Sequence, residues 1–131
     1  MPAQRSFDYA VIRVVPRVER DEFINVGVVL YCLTERFLDA MVELDHARLL
    51  ALAPDVDLGL VESHLASFPR ICAGGHDAGP IGQMSQSERF QWLVAPRSTI
   101  IQTSPVHSGL CADPQAALER VLDRMVRRPR S

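Results

Sequence analysis

Four of the seven glycines in this 131-residue chain fall within nine residues, in the run Ala73-Gly74-Gly75-His76-Asp77-Ala78-Gly79-Pro80-Ile81-Gly82. Glycines let successive backbone N–H groups turn toward one point, which is how phosphate-binding nests form. On that reading Gly74, Gly75, His76, Gly79 and Gly82 would hold a phosphate or a carboxylate. The plainer reading is an irregular loop that needs positive φ angles. The spacing matches neither a P-loop nor a dinucleotide fingerprint, and no predicted strand feeds directly into the loop.

A second segment, Arg97-Ser98-Thr99, sets a guanidinium beside two hydroxyls and can grip an oxyanion bidentately. Arg97 can equally cap a turn, with Thr99 opening a strand. If the two segments met around one pocket, they and His107 would form a small-molecule or phosphate-group site. Ser104 and His107 suggest a nucleophile and its base, but no acid partner is identifiable and Pro105 does not fit a nucleophile elbow. Cys72 with His76, and His107 with Cys111, are two mirrored i, i+4 pairs of zinc-type ligands. Usual zinc knuckles space their ligands more closely, so a metal is not expected from this set. No cofactor is expected, and no catalytic residues are assigned.

Charge narrows the chemistry further. The formal net charge is −2 and all fourteen basic residues are arginine. Without lysine, a Schiff base or a P-loop lysine is impossible. A global field attracting nucleic acid is missing. Arg127, Arg128 and Arg130, around Pro129, complement the dipole of a helix end and need no ligand. The mixed run Arg17, Glu19, Arg20, Asp21, Glu22 reads as a solvated connection.

These residues must be positioned by a small set of elements. Phe7–Val15 and Asn25–Leu33 are rich in β-branched and aromatic residues on both faces, as strands buried on both sides would be. Gly27 within the second suggests a bulge or a close backbone approach. Arg36–Leu44 alternates and reads as a third strand, and the short connections predict antiparallel pairing. Asp45 caps a helix through Leu52, which Pro54 stops. Asp55 is expected to cap the next helix, with Leu58, Val61, Leu65 and Phe68 on one side and Pro69 ending or kinking it. Ser85 and Glu88 have capping-box spacing. Phe90, Trp92 and Val94 nevertheless alternate, so Arg89–Val94 is read as a strand turning into another at Thr99–Thr103. Asp113, Pro114 and the stripe Leu118, Val121, Leu122, Met125 mark the last helix.

The expected architecture is α+β: a mostly antiparallel sheet of four to five strands with helices packed on one face. One domain spans residues 1–131, with tails at 1–6 and 127–131. The longest apolar run, Val26 to Leu33, is far short of the roughly 18–20 residues of a membrane helix. No signal-peptide pattern opens the chain, and Cys32, Cys72 and Cys111 are odd in number and widely spaced. A reducing, cytoplasmic setting is therefore expected.

Tyr9–Pro16, Glu22–Val28, the Cys72–Gly82 loop and Arg97–Gly109 together resemble a bacterial family, domain of unknown function (DUF) family 3037, over about Phe7 to Leu122. The resemblance implies no activity and no catalytic residues. It does suggest a partner, since members are often encoded beside a HipA-like serine/threonine kinase. The leading expectation is a protein-interaction or regulatory module, with homo-oligomers possible and neither membrane nor nucleic acid as partner. The alternative is the phosphate-group site above.

Overall fold

The computed structural model describes residues 3–97 and 99–129. Strands β1 (Arg5–Val14), β2 (Ile24–Cys32) and β3 (Phe37–Val42) form an antiparallel meander. Two short strands, β4 (Ile101–Thr103) and β5 (His107–Cys111), lie end to end along the free side of β1, antiparallel to it. Helices α1 (His46–Leu52), α2 (Leu58–Ala73), α3 (Gln86–Val94) and α4 (Pro114–Met125) complete the α+β fold.

Where β4 breaks from β5, the ladder to β1 would leave Val11 N–H without a partner. The buried Ser104 fills the gap: its Oγ accepts from Val11 N at 2.9 Å, and its own N–H donates to Val11 O at 2.8 Å. An unpaired buried amide would cost about 1–3 kcal/mol.

The sheet is buried on both sides, as the two apolar faces of its strands require. Ala10, Ile12 and Val14 pack under α1, α2 and α3 with Leu49, Val61, Leu65, Phe68, Phe90 and Leu93. On the other face Phe7, Val28, Leu30 and Cys32 meet Ala117, Leu118, Val121 and Leu122 of α4. The expected one-sided covering thus holds for three helices, and the amphipathic α4 supplies the second layer.

A bulge sits at the centre. Ile12 pairs with Gly27 and Arg13 with Asn25, so Val26 is the extra residue. That is why Val26 and Val29, three apart, face the same core rather than opposite ones.

Three local expectations change. Arg89–Val94 is helical: Ser85 and Glu88 form a complete capping box, with Glu88 N donating to Ser85 Oγ at 3.2 Å and Ser85 N to Glu88 Oε1 at 3.2 Å. Phe90 and Leu93 are buried while Trp92 is 40% exposed, so the burial has the period of a helix. Asp57, rather than Asp55, caps α2 by accepting from Leu60 N, and the helix runs past Pro69 to Ala73. The run His76–Gln83 is wound into short 3-10 turns broken at Gly79, φ 70°. No helix of the described residues is long and apolar enough to cross a membrane.

Candidate functional site

The glycine loop is built around Arg89. This side chain, 9% exposed, sits in the first turn of α3. Its Nη1 donates to Ile71 O at 2.9 Å and Cys72 O at 2.7 Å, and its Nε donates to Met84 O at 3.0 Å. The first two carbonyls belong to the last turn of α2, whose dipole places partial negative charge there. The guanidinium therefore closes α2 and ties it to the far end of the loop.

The glycines make this approach possible. Gly74 has φ 75°, and a Cβ there would lie 2.9 Å from Arg89 Nη1. Gly82 is buried, and a Cβ on it would meet Gly75 O at 2.3 Å. The loop amides are turned on the loop itself: Gly75 N donates to Gly82 O, Ala78 N to Gly75 O and Met84 N to Ile81 O. His76 is exposed, its Nδ1 3.4 Å from Gln83 Nε2.

Arg97 lies beyond the other end of α3. It donates to Leu93 O at 3.3 Å and to Trp92 O, and its guanidinium stacks 4.3 Å over the Trp92 ring. It thus satisfies the last carbonyls of α3. Arg89 and Arg97 thus serve opposite ends of α3, the one at the glycine loop and the other past Val94. Thr99 Oγ1 donates to Ile101 O at 2.8 Å, and Ser98 lies outside the described residues. His107 rests against Tyr9 on β1, ring centroids 5.5 Å apart. Among the described residues, no hydrogen bond or ring contact joins the glycine loop to Arg97, Thr99 or His107.

The proposed metal set is separated by the sheet. Cys72 belongs to the core beneath α1–α3, whereas Cys111 belongs to the core beneath α4. Among the described residues no group of three or more His, Cys, Asp or Glu side chains stands close enough to hold a metal ion. Burial pushes the Cys72 thiol up to about 12, so it stays protonated and inert.

Two surface features stand out instead. The first is the β5 edge. β5 pairs with β1 on one side, and no backbone hydrogen bond reaches its other side among the described residues. It carries no acid, arginine or proline. The two most exposed large apolar side chains, Leu33 at 70% and Leu110 at 66%, lie at this end of the sheet. Leu110 pairs with Ser6, and continuing the β1–β2 register past Asp8↔Tyr31 brings Leu33 to the other side of Ser6. The opposite edge is guarded, because Asp39 on β3 accepts from Ala40 N at 2.8 Å and occupies that amide. Sequence reading missed β5: its one signal, Val106, Ser108 and Leu110 alternating with His107 and Gly109, is short and polar.

The second is the corner where the end of α4 meets α1. Arg127 Nε lies 3.1 and 3.2 Å from the two oxygens of Glu43, and Arg128 pairs with Asp45 at 3.1 Å. The hydrogen bond from Arg127 holds the Glu43 carboxyl below its ordinary range. Asp45 is also held low, first by the N–H of Arg48 and then by nearby arginines. A carboxyl depressed in the folded state stabilises the fold above its unfolded pKa, and that contribution fades as pH falls through the folded value. Acid titration should therefore loosen the tail from the β3 end. Glu43→Gln should remove part of that acid dependence and leave stability at neutral pH slightly lower. Identical acid profiles for the two chains would show that the pair does no anchoring.

A family model described as a protein of unknown function, DUF3037, matches residues 9–126, nearly the whole chain. No curated protein and no solved structure matches the chain.

Proposed function

The chain belongs to the DUF3037 family, whose name assigns no activity, and from that premise we propose that it is a protein-interaction module receiving an extended strand of its partner along β5. The observation that carries this reading is the unguarded β5 edge, which bears the exposed Leu110, with the exposed Leu33 two strands inboard. Strand addition draws affinity from main-chain hydrogen bonds and specificity from alternate side chains. Both are on offer here, since free backbone groups lie beside an apolar patch. The partner to try first is a HipA-like serine/threonine kinase, as the family resemblance suggests.

The alternative, a phosphate-group site on the glycine loop and Arg97, would have to recruit Gly74 and Gly75 amides already given to carbonyls and a guanidinium already bonded to α3. The geometry supports the edge more directly.

The test is co-expression with the kinase and capture on a tag. A stoichiometric complex is expected, and Leu110→Lys should weaken capture about tenfold or more. A lysine on an edge strand resists pairing, and it would remove an apolar contact of at least about 1.4 kcal/mol. Two folded proteins that do not associate would remove the kinase as partner. Capture unchanged by Leu110→Lys would remove the edge.

A further inference from the structure

The net charge of the protein is negative, yet one cleft is lined by four arginines and no acid. It has a volume of about 430 Å³ and runs between Arg48 on α1 and Arg124, Arg127 and Arg128 at the end of α4. An adjoining hollow of about 210 Å³ shares Arg48, Arg127 and Arg128, is lined also by Glu43 and Asp45, and reaches Asn25.

The dipole of α4 accounts for little of this charge. A helix end carries about half an elementary negative charge, felt within the last turn. Arg124 alone lies in that turn. Arg127 and Arg128 follow it and are held by Glu43 and Asp45. Arg48 and Arg124 have no carboxylate within ion-pair distance among the described residues. Two guanidiniums, one from each helix, are thus left on one cleft without an ion-pair partner, and an anion between them would supply it.

A second observation concerns the floor of the adjoining hollow. Asn25 donates Nδ2 to Met125 O at 2.9 Å, while its Oδ1 is buried without a partner. That acceptor has no accessible surface, so Asn25 ties the end of α4 to β2 and is not itself offered to a ligand.

We propose that this cleft is a site for a diphosphate group, with Arg48 and Arg124 as its principal cations. A diphosphate fits better than a carboxylate because it spreads several acceptor oxygens across the fan of guanidinium donors, each of which offers five N–H groups. The site is independent of the β5 edge.

The experiment is calorimetric titration of the full chain with inorganic pyrophosphate and with ADP, at low and moderate salt. One site is expected, weakened by salt. Arg48→Gln and Arg124→Gln should each cost about tenfold in affinity, with the circular dichroism spectrum and melting temperature unchanged. Similar affinity for ADP and pyrophosphate is expected, because the diphosphate is the determinant they share. Failure of both ligands to bind at low salt would overturn it. So would binding that the double Arg48→Gln/Arg124→Gln variant retains. A short DNA duplex that binds in an arginine-dependent way, with pyrophosphate and ADP inert, would also overturn it by making the cleft a nucleic-acid contact.

Discussion

Replacing Arg89 by alanine should destabilise the fold by about 3–5 kcal/mol, because three carbonyls would lose charge-assisted donors at about 1–3 kcal/mol each. Three carbonyls, those of Ile71, Cys72 and Met84, would lose the donors that reach them. Two of these close the last turn of α2, so the helix end would lose its tie to the loop. Gly74 leaves just enough room for the guanidinium, while Gly82 lets the loop close on Gly75, and the space vacated would be lined by polar backbone. Urea unfolding reads the effect: with a slope of about 1–3 kcal/mol per molar, the midpoint should fall by roughly 2 M. Arg89→Lys should recover only part of the loss, because one ammonium cannot span carbonyls on both sides of the loop as the planar fork does. Amide exchange should accelerate first in residues 74–83. A loss below about 1 kcal/mol would mean that the loop holds its shape without this side chain, and the glycines would then need another explanation.

That prediction also shows where sequence reading stops. A cluster of glycines announces that something approaches the backbone closely, but it does not say whether the guest is an anion or the protein's own arginine. Both demand the same missing Cβ atoms and the same positive φ angles. The strand reading of Arg89–Val94 failed for a related reason. Arg89 looks like a solvent-facing residue, so the buried stripe Arg89, Phe90, Leu93 is hidden, and Phe90, Trp92, Val94 is left as an apparent alternation. The capping box was the more reliable sign because it reports backbone N–H groups directly.

Elsewhere the local and tertiary demands agree, and the elements are legible. Asp113, Pro114 and the apolar stripe define α4 with no competing pattern. The doubly apolar β1 and β2 reveal that both sheet faces are covered. The arginine corner was visible only as a cationic tail. Its meeting with Arg48, some eighty positions earlier, is made by packing, to which sequence spacing is blind.

Gly27→Ala should cost about 2–4 kcal/mol, an overpacking penalty at the upper end because the obstacle is backbone. A Cβ at this position would lie 2.7 Å from Met41 O, with Ile12 Cδ1 and Val42 Cγ2 each at 3.2 Å. Side chains can swing aside by tenths of an ångström, but the Met41 carbonyl belongs to the neighbouring strand and can move only if β3 moves. β2 has little freedom to yield, since α1–α3 press on one face and α4 on the other. Sliding by one residue is no escape, because it would exchange the two faces of the strand. The bulge at Val26 already sets which core each side chain enters. The melting temperature should drop by roughly 10 °C for a chain of this size. Gly59→Ala is the matched control: Gly59 is exposed in the first turn of α2, and its added Cβ would find nothing nearer than 3.5 Å. Alanine there should be neutral or stabilising by up to about 1 kcal/mol, through helix propensity and a less flexible unfolded chain. Equal melting temperatures for the two variants would show that the strand crossing at Gly27 can open without loss, and that the bulge rather than the close approach explains the glycine.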